Sequence, residues 1–430
     1  MEGGIWSRLR SPTAVRGLSA IVEQGIYSVT SFLAGVLVAR STSQEECGVY
    51  ILAMTTLVFA QGMQASLFGT PFTVLSLRLE PRERMACLGH GFLQATMFAL
   101  LVTGVVLAGS WAVVRFGAVD GLVSPVFLAM GIASVVLLSQ DFLRTVLMAQ
   151  LRGGTSLILG LSCNSMVAAG LAAAFFTGHL NAASAFIVMA VAVGPPVIFL
   201  WFDKRRRGLM AFDPGRFRET WTGNWDFGRW LVARSLASFV AIQLYAWMLA
   251  YWHGREAVAV YGVCLGLAGI VNPFFMGLLR YLAPKAAHAA LEGSRPLRRV
   301  VLSAMGLLIG PLALYVAGAA LFGEWPLVAL YGEKYAGAGG VFGFCAVAIG
   351  IAALTGALSV GLNALRRPDV GLKAQVLAGL ASIVVGLPLV AIYGTIGAAA
   401  GLCVTNLVFA AYSWKAFADL IDALASGETT

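Results

Sequence analysis

Charge is scarce in this chain. Asp, Glu, Lys and Arg together make up 11% of its 430 residues, where a soluble domain carries about a quarter. With 59% of the residues hydrophobic, a water-soluble fold of this length could not bury its apolar surface. Histidine is sparse too: His90, His179, His253 and His288 stand far apart, with no H-E-x-x-H zinc pattern. The six cysteines make no C-x-x-C pair and mostly fall inside apolar runs. They read as small packing residues, with no disulfide or metal framework. No G-x-x-x-x-G-K-[ST] loop is present, which argues against nucleotide hydrolysis. The chain is therefore expected to be no enzyme and to hold no resident cofactor.

What is present is long apolar runs. A membrane-crossing helix needs about 20 apolar residues, and about twelve such runs recur along the chain. They cover roughly 17–39, 48–77, 88–110, 122–148, 155–177 and 184–202, then 230–252, 258–279, 300–322, 338–362, 371–393 and 396–417. Lys and Arg are retained on the cytoplasmic side of a membrane. With the N-terminus inside, alternation leaves only Arg40, Arg115, Arg255 and Lys334 of the 29 Lys and Arg residues on the outer side. Both termini are then cytoplasmic. The net charge of +9 is accounted for by this asymmetry and by attraction to anionic headgroups, so no nucleic-acid partner is expected. The first run is too long for a cleaved signal peptide and has Arg40 behind it, so it is expected to remain as an anchor.

The runs repeat. Glu23, Tyr50 and Gln61 correspond to Arg234, Tyr261 and Asn272, each 211 residues later. Pro71 and Pro284, expected to end the second and eighth spans, are 213 apart, and Leu151-Arg152 and Leu365-Arg366 are 214 apart. The chain reads as an all-α polytopic membrane protein of about 12 transmembrane helices in two six-helix lobes. Because six is even, the lobes form a parallel repeat about an axis along the membrane normal. The lobes are expected at 1–203 and 230–430, with 204–229 as a cytoplasmic amphipathic linker. In that linker Asp213-Pro214 reads as a helix start, and Phe217, Trp221 and Trp225 share one face. Such a helix is expected to lie flat at the interface, an ordinary polar loop being the other reading.

Polar residues inside the spans are the candidate site. At 100° per residue, Glu23, Gln24, Tyr27, Ser28, Thr30 and Ser31 all fall within one sector of the first span. Such a face needs water or protein against it: it lines a cavity or makes helix–helix hydrogen bonds. The seventh span repeats the pattern more thinly, with Arg234, Ser235, Ser238 and Tyr245. Arg234 is near enough to the interface to snorkel instead. Gln61 and Asn272 are a matched pair, and Asp141 and Arg144, three apart on one helix, can neutralise each other. Arg280 closes the eighth span, where topology explains it equally well. Against Glu23 and Asp141, the arginines Arg144, Arg234 and Arg280 leave a slightly positive balance, which suits an anionic head group.

Several segments resemble the polysaccharide (O-antigen and exopolysaccharide) flippases of the multidrug/oligosaccharidyl-lipid/polysaccharide exporter superfamily. These are Leu37-Val38-Ala39-Arg40 with Glu45 to Tyr50, Tyr281-Leu282-Ala283-Pro284, and Leu330 to Tyr335. Asn363 to Arg366 and Tyr393 to Ala399 complete them. Cys47 stands where the family more often has Phe, and the Glu-Gly landmarks are not repeated before Tyr261. The resemblance implies a MATE-like, two-lobed carrier in the bacterial cytoplasmic (inner) membrane. It would move an undecaprenyl-diphosphate-linked oligosaccharide to the outer leaflet, with H+ or Na+ as candidate coupling ion. Glycosyltransferases and a polysaccharide polymerase would be its pathway partners. The resulting substrate-binding set is Glu23, Gln24, Tyr27, Thr30, Gln61, Arg144, Arg234, Ser238, Asn272 and Arg280. Two rivals remain: a cation-coupled multidrug exporter of the same superfamily, and a membrane glycan polymerase or transferase.

Overall fold

A computed structural model of the chain describes residues 12–76, 79–115, 123–150, 153–206, 213–365 and 367–426. Arg8, Arg10, Arg78, the Leu151-Arg152 landmark, Arg207 and Arg366 lie outside the described residues. The described residues form helices and turns, without strand.

Ten helical stretches among them are long and apolar enough to cross a membrane. Two of these, Pro214–Glu292 and Asp369–Ser426, are each interrupted by one glycine in a positive-φ conformation. Gly254 has φ 84° and ψ 176°, and Gly394 has φ 58° and ψ −128°. A Cβ disfavours that region, so each glycine breaks the helix without needing a loop. Among the described residues the result is twelve long helices, one for each apolar run of the sequence. They are α1 (Pro12–Ser41), α2 (Gln44–Leu75), α3 (Pro81–Arg115), α4 (Val123–Ala149), α5 (Gly153–Phe176) and α6 (Ala182–Arg206). Then come α7 (214–253), α8 (255–292), α9 (Ser294–Phe322), α10 (Gly339–Ala364), α11 (368–393) and α12 (395–426). A short helix, Glu324–Tyr331, joins α9 to α10.

The chain divides into two compact units, 1–235 and 236–430, with the boundary inside α7. Within each, the same helix is central. The most apolar windows of α4 and α10 are 50% and 61% buried, whereas α3 and α9 each reach 22%. The fourth helix of each set is thus wrapped by its neighbours and the third lies at the edge. The first unit's core gathers Val38, Tyr50, Met130, Leu143 and Phe186. The second has separate clusters around Leu297, Val301, Leu358 and Phe417 and around Phe275, Leu308 and Leu312. Large apolar side chains such as Leu101, Phe176, Leu314 and Leu321 stay exposed. An apolar surface of this extent belongs against lipid.

Local chemistry explains the helix ends. Ser43 caps α2 by accepting from the Glu46 N–H at 3.1 Å. The Glu46 carboxylate in turn accepts from the Ala182 N–H at 2.8 Å, tying α2 to the start of α6. Asn181 and Ser184 cap α6 reciprocally, each side chain accepting from the other's N–H at 2.8 Å.

One expectation is corrected. Pro71 and Pro284 do not end their helices. A π-turn, Ala65–Gly69, precedes Pro71, which then sits in the first turn of the resumed helix, where its missing N–H leaves no gap. Pro284 is carried inside a helix that runs on to Glu292. The segment 214–229, expected as an interfacial linker, is the start of α7 and is joined to the first unit by side-chain contacts. Polar contacts draw it in. The Asp213 N–H donates to His90 Nε2 at 3.1 Å, His90 Nδ1 meets Thr220 Oγ1 at 3.0 Å, and Asn224 donates to Gln94 at 2.8 Å. At Gly228 a Cβ would sit 2.7 Å from the Ser66 carbonyl oxygen, so only glycine lets α7 approach the π-turn of α2.

Candidate functional site

The polar sector of α1 opens on a cavity of about 90 Å³. Its lining belongs wholly to the first unit: Glu23, Tyr27, Thr30 and Ser31 of α1, Tyr50 and Gln61 of α2, Gln140, Asp141 and Arg144 of α4, and Gly160, Cys163 and Asn164 of α5, with apolar neighbours. A water needs about 10–15 Å³ of such space, so the cavity has room for several waters and none for an oligosaccharide.

At its wall Glu23, 2% exposed, is held from three sides. Arg144 Nε lies 2.8 Å from Glu23 Oε1. Ser156 of α5 donates to Glu23 Oε2 at 3.0 Å and lies 3.2 Å from Oε1. A Cβ on Gly160 would come within 2.9 Å of Glu23 Cγ, so this glycine makes the space into which the carboxylate folds. Arg144 is fixed in turn: Nη2 donates to Gln24 Oε1 at 3.1 Å, and the guanidinium stands 5.5 Å from the Tyr27 ring centroid. Asn164 donates to the Gly160 carbonyl at 2.7 Å, on the same α5 face.

This changes the expected pairing. Arg144 reaches across to Glu23 on α1, and its helix neighbour Asp141 lines the same cavity. Two carboxylates and one guanidinium give that lining a formal charge of −1. The expected sum included Arg234 and Arg280, which do not line this cavity.

Of the ten sequence-derived site residues, the structure thus brings together Glu23, Gln24, Tyr27, Thr30, Gln61 and Arg144. Arg234, Asn272 and Arg280 have exposed side chains, and Ser238 is half-buried. The shared face read for Arg234, Ser235, Ser238 and Tyr245 does not persist. Ser235 packs on α2, 2.8 Å from Ser66 Oγ, while Tyr245 is fully buried against Thr405, 2.7 Å away. A π-turn, Phe239–Gln243, lies between them, and its extra residue shifts the helical phase. Ser156, Gly160 and Asn164 were missed. Their four-residue spacing puts them on one face of α5, and the signal available was Ser156 and Asn164, two polar residues eight apart on that face.

No family model matches the chain, and no curated protein matches it by sequence. Solved structures do. A multidrug resistance MATE family transporter of the MOP superfamily, in its inward-facing conformation, superposes with a TM-score of 0.75 at 14% identity, covering 94% of this chain and 96% of that one. A MOP superfamily transporter from Pyrococcus furiosus, described as having a binding pocket of reverse polarity that suggests a different function, gives 0.70 at 14% identity over 97% and 98%. A Vibrio cholerae MATE transporter gives 0.67 at 14% identity over 96% and 98%. At such identity the likeness is one of fold: this multi-pass helical chain has the architecture of the MATE-like transporters.

Proposed function

We propose that the chain is an alternating-access exporter that carries an undecaprenyl-diphosphate-linked oligosaccharide across the cytoplasmic membrane for polysaccharide biosynthesis. The observation that carries the transport reading is the Glu23–Arg144 pair beside a cavity within apolar helices. Burying an ion pair in place of apolar residues gains a helix bundle no stability, and intramembrane charges mark pathways and relays. Glu23 is the group to carry the coupling proton, or to bind Na+, releasing Arg144 as it does so.

The substrate class rests on the motifs around Glu45 to Tyr50, Leu330 to Tyr335 and Tyr393 to Ala399. On this reading Arg144 is engaged by Glu23 and Gln24, and Arg234 and Arg280, whose side chains are exposed, meet the diphosphate. Guanidinium groups match phosphate oxygens with paired hydrogen bonds. The rival reading, a cation-coupled multidrug exporter, is favoured by one observation: the net negative lining of the first unit's cavity.

Proteoliposomes holding the purified chain separate the two readings. A fluorescent undecaprenyl-diphosphate oligosaccharide should change leaflet with the wild type, and about tenfold or more slowly with Arg234→Gln, the loss expected for one charge-assisted contact. Transport of a cationic dye with no movement of the lipid would overturn the proposal in favour of its rival.

A further inference from the structure

The second unit contains a cavity of its own, of about 160 Å³, lined among others by Ala241, Thr355, Gln375, Ala378, Thr405 and Asn406. Its walls are the repeat of the first unit's walls. At the 211-residue offset of the first helices, Thr30 of the first cavity corresponds to Ala241 of the second. At the offset of 214 found for the fourth and fifth helices, Asp141 corresponds to Thr355 and Asn164 to Ala378. The positive-φ glycines Gly178 and Gly394 put the last helices 216 apart, and at that offset Met189 and Val193 correspond to Thr405 and Phe409. The two cavities thus take part of their lining from corresponding positions and differ in chemistry.

The second copy is polar without charge. Thr355 donates to the Ile351 carbonyl at 2.7 Å. Asn406 donates to the Ala348 carbonyl at 2.9 Å, which leaves its amide oxygen as an acceptor. Thr405 is braced by Tyr245 at 2.7 Å, and Tyr245 is packed so closely that a Cβ on Gly401 would lie 2.8 Å from its ring. The amide of Gln375 has no hydrogen bond to any described residue. An ion in this cavity would meet no counter-charge among the lining side chains, at a heavy solvation penalty within apolar helices. The Gln375 amide and the Asn406 amide oxygen can still take hydrogen-bond partners there. The space exceeds that of a few waters.

We propose that this second cavity binds an uncharged, hydroxyl-bearing group, and that in the exporter this is a sugar of the lipid-linked oligosaccharide. Only the naming of the sugar rests on the function proposed above. Asn406 and Gln375 present acceptors and donors to the hydroxyls, and Thr355, held by its own helix, offers a further acceptor.

The test uses the full chain in lipid nanodiscs with two probes, undecaprenyl-diphosphate oligosaccharide and undecaprenyl diphosphate without sugar. Asn406→Leu and Gln375→Leu should each weaken binding of the sugar-bearing lipid about tenfold and leave the sugar-free lipid unchanged. Equal loss for both lipids, or no loss for either, overturns the site. A second measurement is independent of the lipid. Asn406→Cys should react faster with a neutral hydroxyethyl thiosulfonate than with its anionic and cationic analogues, above the background of the six native cysteines. Absent or charge-blind labelling overturns the uncharged site. A wild type that binds neither lipid, while Asn406→Cys still shows the neutral preference, refutes the oligosaccharide reading and supports the hydroxyl site.

Discussion

The two units build one six-helix pattern and put opposite kinds of polarity into it. In the first, two carboxylates and a guanidinium line the cavity, and in the second the corresponding lining carries no charge. The scaffold is insensitive to that difference. Which helix is central and which peripheral follows from apolar burial, and α4 and α10, or α3 and α9, agree between the copies. Packing therefore preserves the architecture, and the few side chains facing the cavities are free to diverge in function.

The sharpest way to break the comparison is to give the first unit the second's chemistry. Arg144→Leu installs the residue found at the corresponding position, Leu358, and strands Glu23 beside an apolar wall. Removing one partner of a buried pair costs about 3–5 kcal/mol. A large fall in the thermal midpoint of the detergent-purified protein is expected, and Glu23→Gln added to Arg144→Leu should recover most of it while leaving transport impaired. If Arg144→Leu melts with the wild type, the pair contributes nothing to holding Glu23. Next in size is Gly160→Ala. Its Cβ would crowd Glu23 Cγ at 2.9 Å, and overpacking of this kind costs about 1–3 kcal/mol. Gly154→Ala, six residues earlier on the same helix with open space around it, is the control and should be neutral. Equal midpoints for the two would mean that α5 gives way and the glycine is not what admits the carboxylate.

How far the site could be read from the sequence follows from the range of its contacts. The polar sector of α1 was legible because one helix with an unbroken 100° step carries it. Glu23, Tyr27 and Thr30 do share a cavity. The partner of Glu23 was not legible. Arg144 and Ser156 come from helices more than a hundred residues away, whereas spacing alone favoured Asp141, three residues from Arg144. The twelve helices were legible because apolar length is a strong signal. The shared face on α7 was lost at the π-turn 239–243, since no residue pattern announces an inserted residue. Gly160 gave no sign in a chain with 50 glycines, many of them with open space around them.

The turns between the first two helices of each unit offer a finer comparison. Position 43 and position 254 correspond at the 211-residue offset, yet the first copy has serine and the second glycine. Gly254, at φ 84° and ψ 176°, sits where a side chain is strained by about 1–3 kcal/mol. Gly254→Ser should therefore lower the thermal midpoint clearly. A midpoint unchanged by that substitution would show that the turn relaxes freely into ordinary geometry.

The reciprocal substitution should do least of all. Ser43 has φ −64° and ψ 162°, an extended conformation open to any residue, and its hydroxyl caps α2 by accepting from Glu46. Glycine is itself a tolerated cap, a few tenths of a kcal/mol below serine, whereas alanine costs about 1 kcal/mol. Ser43→Gly should thus melt close to the wild type and Ser43→Ala slightly lower, with both above Gly254→Ser. That order tests a specific asymmetry. The first unit starts its second helix with a side-chain hydrogen bond that is replaceable, and the second unit starts it with a backbone conformation that is not. If Ser43→Gly proved as damaging as Gly254→Ser, the serine would be serving the turn by something other than its capping bond, and the correspondence between the two turns would fail at this position.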